Sequence, residues 1–541
     1  MEISKNSPAN TETEYTLNDL KNRCFKQEFQ IEELTAKLNW YEEQFRLSQQ
    51  KRFGTSSEKT DMDQLNFLFD EAEKEADSKI PEPTVEEITY KRKKQAGKRD
   101  ADLKKLPVEV IEYRLTDEER ICDQCGNILH EMTTEIRQEL KIIPAKVVVV
   151  KHIKYVYSCR NCEQNEINTP VITAPMPKSI LPGSLVSPSL MAYIMVQKYV
   201  NAMPLYRQEK MFGRLDIEIS RQNMANWMMH GSNNWLKVVY DRLHVNLLKN
   251  DILHADETRL QVLNEPGRSA QSDSYMWLYR TGVDNETQIV LYEYQTTRAG
   301  KYPRKFLENF KGYLHVDGYA GYHGIPNVKL IGCWAHARRY FTDTLKAVPD
   351  KKSKAALEAT KGLNFCNQLF SIEHATSALT GEERFEARLE KSKPLLEAFS
   401  SWLNIQSKRV LPKSSLGKAI TYCRNQWTNL EAFLLDGRLE LTNNRAERSI
   451  KPFVIGRKNW LFSNSQRGAR ASAIIYSIIE TAEENDLKPY EYLTYLFEQL
   501  PNTDITDVNS LDKLLPWSAT IPEICKAPAE TEIEKLESAK A

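Results

Sequence analysis

The chain has 541 residues, 41% hydrophobic and 27% charged, with 74 basic and 74 acidic side chains and no net charge. That length calls for three or four domains rather than one. No apolar run approaches the roughly 18 residues that span a bilayer, and the opening MEISKNSPANTETEY has no apolar signal core, so no membrane partner and a cytoplasmic location are expected. The neutral total hides segregation. Residues 70–87 are acidic, 90–105 are basic, and a second basic stretch carries Arg445, Arg448, Lys451, Arg457, Lys458, Arg467 and Arg470. Such stretches make a local phosphate-binding surface; solvated helix faces and a charged linker give the same pattern. Nine cysteines, an odd number, argue against a disulfide framework.

Residues 15–53 read as a coiled-coil helix. Leu17, Leu20, Cys24, Gln27, Ile31, Leu34, Leu38, Tyr41 and Phe45 alternate at three and four, the seam of a helix that joins two or more copies of the chain. An amphipathic helix packed on its own domain shares that pattern. Gly54, Thr55, Ser56 and Ser57 break it, and 54–107, with Pro81, Pro83 and Pro107, reads as a charged linker.

Residues 108–175 are expected to form a zinc-binding β module. Cys122-Asp-Gln-Cys125 and Cys159-Arg-Asn-Cys162 each present two thiolates from one tight turn, the arrangement that one tetrahedral structural zinc needs. The gap between the pairs exceeds the usual 15–20 or so residues. The Val-, Ile- and Tyr-rich runs Val147–Val150 and His152–Tyr157 would fill it with strands. Four reduced thiols in a small β-domain are the alternative.

Residues 183–250 read as helical. Leu205–Gly213 ends at a glycine, and Ser220 is placed to cap a following helix that opens Arg221, Gln222, Asn223. That outline fits a helix-turn-helix, whose second helix offers its first residues to base edges; a plain helical hairpin fits it too.

From Asp251 the pattern turns to strands: Asp251–Val262, Ser274–Arg280 and Gln288–Tyr294, then a helix from Lys301 to Phe310, then strands Gly312–Asp317 and Lys329–Cys333 and a helix Trp334–Phe341. Short connections make the first three strands an antiparallel meander. The helical crossover returns the fourth parallel beside the first. Asp256 and Asp317 then become neighbours, with His254 and His315 on the same faces. Two adjacent carboxylates repel unless a cation lies between them. Hard Mg²⁺ or Mn²⁺ suits them, and two such ions serve in-line phosphoryl displacement. Glu257 points to the other face and is the poorer ligand.

The stretches HADETRLQV, HVDGYAGY, GCWAHARRYF and LTNNRAERSIKPFVIGRKNWLFSNSQRGARASAIIYSIIETA, with KRFGTSSEK, CDQCG and CRNC before them, resemble the large transposase of the insertion-sequence 66 family along nearly the whole chain. The resemblance implies a multidomain α/β protein: a ribonuclease-H-like catalytic core over 251–480 with a helical insertion about 342–440, preceded by the coiled coil, the zinc-binding β module and the helical DNA-binding domain, and followed by a helical tail over 485–520. It implies a DDE triad of Asp256, Asp317 and Glu447; Asn444, near the start of the helix that carries Glu447, stands where an N-cap is expected. It implies DNA transposition, by hydrolysis at the element ends and strand transfer into target DNA. Arg445, Arg448, Lys451, Arg457 and Lys458 would flank the scissile phosphate. Element termini, target DNA and small accessory proteins of the same element are the implied partners, in a nucleoid-associated protein. Cys333 and His336 form a C-x-x-H pair, read as shaping the active site or as a buried non-catalytic pair. The alternative to an active enzyme is a zinc-bearing DNA-binding regulator with an inactive core.

Overall fold

The structure, a computed structural model, describes residues 147–158, 171–285, 287–348 and 352–528, and Gln27 besides. The rest of the expected coiled coil, the linker over 54–107, and Cys122, Cys125, Cys159 and Cys162 lie outside the described residues. The described residues 147–158 and 171–174 belong to one compact unit, and those from 175 on to another. In the first, β1 (Val156–Ser158) pairs antiparallel with β2 (Val171–Thr173). The expected strand over Val147–Val150 is not formed, and only the end of the His152–Tyr157 run is extended in pairing.

The second unit opens with helices. α1 (Pro188–Tyr199) is capped by the Ser187 hydroxyl, α2 (Leu205–Gly213) follows, and α3 (Arg221–Gly231) begins at Ser220, whose side chain accepts from the Asn223 amide. A π-helical turn, Ser232–Leu236, joins α3 to α4 (Lys237–Leu247).

A mixed sheet of β3 (Ile252–Asn264), β4 (Asp273–Thr281), β5 (Val290–Gln295), β6 (Gly312–Val316) and β7 (Val328–Gly332) forms the core, in the order β5-β4-β3-β6-β7. β3, β4 and β5 pair antiparallel. α5 (Lys301–Phe306), shorter than the helix expected to Phe310, carries the chain across. β6 then runs parallel to β3, and β7 parallel to β6. The backbones of β3 and β6 approach closely at Gly312, where φ is +147° and a Cβ would stand 2.1 Å from the Asp251 carbonyl oxygen, so only glycine fits there.

Beyond β7 come α6 (Trp334–Ala347), α7 (Lys354–Ala375), α8 (Gly381–Ala387), α9 (Lys393–Ser407), α10 (Ser415–Asn425) and α11 (Trp427–Leu430). These helices have their own core, in which Trp334, Phe341, Phe399 and Leu430 are buried together. The Trp334 indole N–H donates to the Leu430 carbonyl at 2.8 Å, so the first residue of α6 is fastened to the insertion.

α12 (Asn444–Trp460) packs on the sheet. β8 (Ser463–Ser465) adds to the far end of β3. α13 (Gln466–Glu483) covers the edge strand β5. An edge strand leaves backbone groups unpaired, and here α13 satisfies them. Ser477 Oγ accepts from the Tyr292 amide at 2.7 Å. Thr481 Oγ1 accepts from the Val290 amide at 3.0 Å and donates to its carbonyl at 2.9 Å. The tail helices α14 (Pro489–Gln499) and α15 (Val508–Asp512) complete the unit. No helix among the described residues is long and apolar enough to cross a membrane.

Arg280 on β4 ties sheet to helices. Its side chain, 2% exposed, donates twice to Glu484 at 2.8 Å, beyond α13, and once to Ser449 of α12. Removing one member of a buried pair strands the other charge. Glu484 keeps some solvent access, so Arg280→Ala should cost about 3 kcal/mol, the low end for such pairs, read as a lower midpoint in urea denaturation.

Candidate active site

The parallel register of β3 and β6 sets His254 opposite His315. Their rings stack, with centroids 4.2 Å apart and planes 8° from parallel. Two residues further on come Asp256, still in β3, and Asp317, the first residue beyond β6; carrying the register forward would turn both toward the same face. Asp256 Oδ1 accepts from the Glu257 amide at 2.8 Å, and Asp317 Oδ1 from the Tyr319 amide at 2.9 Å. Burial, then the charges of Glu257 and Asp317, raise the Asp256 carboxyl well above the ordinary range, and Glu447 adds to the shift. Three carboxylates therefore act on the half-buried Asp256.

Glu447 lies in the first turn of α12, its amide bonded to the Asn443 carbonyl at 3.2 Å. The expected cap is corrected: Asn443, not Asn444, occupies the N-cap position, and its side chain does not cap. It reaches the sheet instead. Asn443 Nδ2 donates to the Ala255 carbonyl at 2.8 Å, its Oδ1 lies 3.1 Å from His254 Nδ1, and its backbone N–H donates to Cys333 Sγ at 3.2 Å. One buried asparagine thus joins β3, the start of α6 and the start of α12. The helix dipole does not need a side-chain cap when the turn is held this way. A long-range clamp leaves no periodic mark in a sequence, and the polar character of the Asn443-Asn444 pair was its only sign.

Around this clamp the other groups have defined partners. His254 Nε2 lies 2.8 Å from Glu440 Oε2. Burial opposes ionisation of Glu440, but His254 and Arg445 hold its carboxyl below the ordinary range. Burial and the neighbouring His254 hold His315 well below the usual imidazole range, and neither of its ring nitrogens has a hydrogen-bond partner among the described residues. Glu257 is committed elsewhere, to Arg298, whose Nε donates at 2.7 Å, and to the Tyr322 hydroxyl. The Arg298 guanidinium in turn covers the Tyr319 ring at 3.6 Å, which braces the loop after Asp317. The sequence reading did not find Arg280, Arg298, Glu440 or Asn443.

Cys333 is fully buried at the N-cap position of α6, and burial pushes its thiol up to about 11. His336, one turn into α6, places Nδ1 3.6 Å from Glu447 Oε1, and Arg339 Nη2 is 3.9 Å from Oε2. The structure therefore brings Cys333 and His336 to Glu447.

Of the basic residues on α12, Arg448 is exposed. Arg445 is half-buried and faces Glu440, with Nε 3.9 Å from Oε2. Arg457 donates to Thr258 Oγ1 at 3.3 Å on β3. Lys451 and Lys458 are half-buried. Arg221, Gln222 and Asn223 are exposed on the first turn of α3.

Residues 183–471 match the transposase IS66 family, 119–163 the zinc-finger binding domain of transposase IS66, and 477–517 the IS66 C-terminal element. Residues 40–111 match the family described as transposase C of IS166 homeodomain. Three proteins of Sinorhizobium fredii, each called uncharacterized, are similar. y4jD is 31% identical over 76% of this chain and 80% of its own length, y4hP 30% over 73% of each, and y4qI 28% over 87% of each. The chain belongs to the IS66 transposase family.

The raised Asp256 carboxyl has a stability consequence. A carboxyl that holds its proton more tightly when folded favours the folded state only while protonated, and that contribution is lost as pH rises above the unfolded value, about 3.9. Without added divalent cations near pH 8, Asp256→Asn should therefore raise Tm, by about 2–4 °C for each kcal/mol relieved. Thermal denaturation with and without Mg²⁺ checks this, and added Mg²⁺ should narrow the difference.

Proposed function

We propose that the chain is a DNA transposase with a ribonuclease-H-like core, which hydrolyses DNA at the element ends and transfers the freed strands into target DNA through Asp256, Asp317 and Glu447. The observation that carries this reading is that Asp317 and Glu447 both act on the Asp256 carboxyl, across the parallel pairing of β3 with β6. The strand order, three antiparallel strands followed by two parallel ones, supports the fold assignment.

The donor set fits hard divalent cations. It is all oxygen, its charges repel, and Glu447 Oε1 is buried without a hydrogen-bond partner among the described residues. Asp256 and Asp317 would hold one Mg²⁺ or Mn²⁺, and Glu447 would help hold a second. Such a pair, when bound, supplies charge to the attacking and leaving oxygens of an in-line displacement. The chain's own residues supply position. Asp256 and Asp317 are fixed by neighbouring backbone amides, and Asn443 fixes the turn of Glu447. Arg448, exposed beside Glu447, offers its guanidinium to a DNA phosphate, with Lys451 further along; Arg445, Arg457 and Lys458 border the same path. In hydrolysis water attacks phosphorus; in joining, the freed 3′-hydroxyl attacks a target phosphodiester, and in each a 3′-oxygen leaves.

Other modules extend the reading. Arg221, Gln222 and Asn223 stand where a recognition helix meets base edges. Cys122, Cys125, Cys159 and Cys162 hold one structural zinc, and residues 15–53 join copies of the chain through a coiled coil. Small accessory proteins of the same element are further proposed partners.

Labelled element-end DNA with Mg²⁺ should be nicked and joined by the wild type. Asp256→Ala, Asp317→Ala and Glu447→Ala should each lower the rate at least about 100-fold. Cleavage unchanged in Asp256→Ala would end the enzyme reading. Separately, metal analysis should find one zinc fewer per chain in Cys122→Ser than in the wild type.

A further inference from the structure

The mechanism leaves the Cys333–His336 pair unused, yet its ligand atoms converge on Glu447. Cys333 Sγ, a His336 ring nitrogen and a Glu447 carboxylate oxygen all lie within 4.8 Å of one another. His336 Nδ1 and Glu447 Oε1 are 3.6 Å apart, too far for a hydrogen bond. Both atoms are buried and neither has a hydrogen-bond partner among the described residues. Around a tetrahedral ion with bonds of about 2.0–2.3 Å, ligand atoms stand about 3.3–3.8 Å apart. The His336–Glu447 spacing already has that value, and a small closure toward Cys333 completes three sides of a tetrahedron.

We propose that Cys333, His336 and Glu447 form a cation site of their own, which takes a thiophilic divalent ion of the zinc class. The chemistry of the donors separates it from the hard-ion site. Thiolate and imidazole select zinc, cobalt or cadmium, while carboxylates alone suit magnesium and manganese. Binding forms a metal–sulfur bond and releases the thiol proton to solvent. Three protein ligands leave a fourth position open, for water or for an oxygen of bound DNA. The turns that carry the ligands are already fixed: Trp334 is fastened to the insertion, and Asn443 joins Cys333 to the start of α12.

The site shares Glu447 with the proposed triad, and its effect on activity rests on that reading. A thiophilic ion that captures Glu447 removes it from the Asp256–Asp317 pair, so micromolar zinc should inhibit Mg²⁺-supported cleavage, and His336→Ala should relieve that inhibition.

The binding claim is tested without activity. The full chain, its cysteine pairs loaded with zinc, is titrated with Co²⁺ and followed by absorption. One equivalent should give a thiolate-to-cobalt charge-transfer band and the intense visible bands of tetrahedral cobalt. The signal should persist in Cys122→Ser, disappear in Cys333→Ser, and need at least about 10-fold more Co²⁺ in His336→Ala and in Glu447→Gln. His336 is partly exposed on α6, so that variant remains informative if Cys333→Ser fails to fold, as circular dichroism would report. A wild type without the band, or a band unchanged in a folded His336→Ala chain, overturns the proposal. A His336-dependent band in a protein that never cleaves DNA would leave the cation site standing and remove the transposase reading.

Discussion

Parallel pairing of β3 with β6 brings the carboxylate of Asp317, just beyond β6, near that of Asp256 on β3, and the rest of the unit is arranged around that repulsion. Like charges this close favour protonation or separation. Separation is blocked, because the register is fixed by the strand hydrogen bonds, by the glycine-only approach at Gly312 and by the stacked His254 and His315 rings below. Protonation is the state toward which Asp256 is pushed. A divalent cation between the two carboxylates would resolve the conflict without either movement.

The third carboxylate depends on a chain of buried polar contacts that begins in the insertion. Arg388 is fully buried and bidentate to Glu373, with nitrogen–oxygen distances of 2.8 and 2.6 Å. Its remaining donors reach the carbonyls of Phe433, Asp436 and Leu439. That engagement fixes the segment leading into Glu440 and Asn443, hence the first turn of α12. A charge so fully bonded specifies geometry more than it adds stability. The insertion is thus a support for Glu447 as well as a connection between β7 and α12.

The strand order, and with it the parallel return of β6 beside β3, was legible because it leaves a local trace: alternation of apolar residues, short hairpins, a helix-length crossover. The Ser220 cap was legible for the same reason. Glu447 was not selected by spacing, because nothing in its helix distinguishes it from other glutamates; the family pattern chose it. The cap expected at Asn444 was one position off, because a capping signature cannot show that the Asn443 side chain bonds a strand far away in sequence. Arg280 in a strand, Arg298 in a loop and Arg388 in a helical turn were invisible, because charged residues ordinarily read as solvated. Val147–Val150 show the opposite failure, in which β-favouring residues occur where no strand forms.

The central claim is that these carboxylates form a cation-binding centre on the sheet. The most direct measurement is anomalous diffraction from crystals grown with Mn²⁺. Manganese is predicted between Asp256 and Asp317, with a second ion against Glu447 once DNA is bound. Anomalous density absent from the Asp256–Asp317 pair at saturating Mn²⁺ would contradict the account.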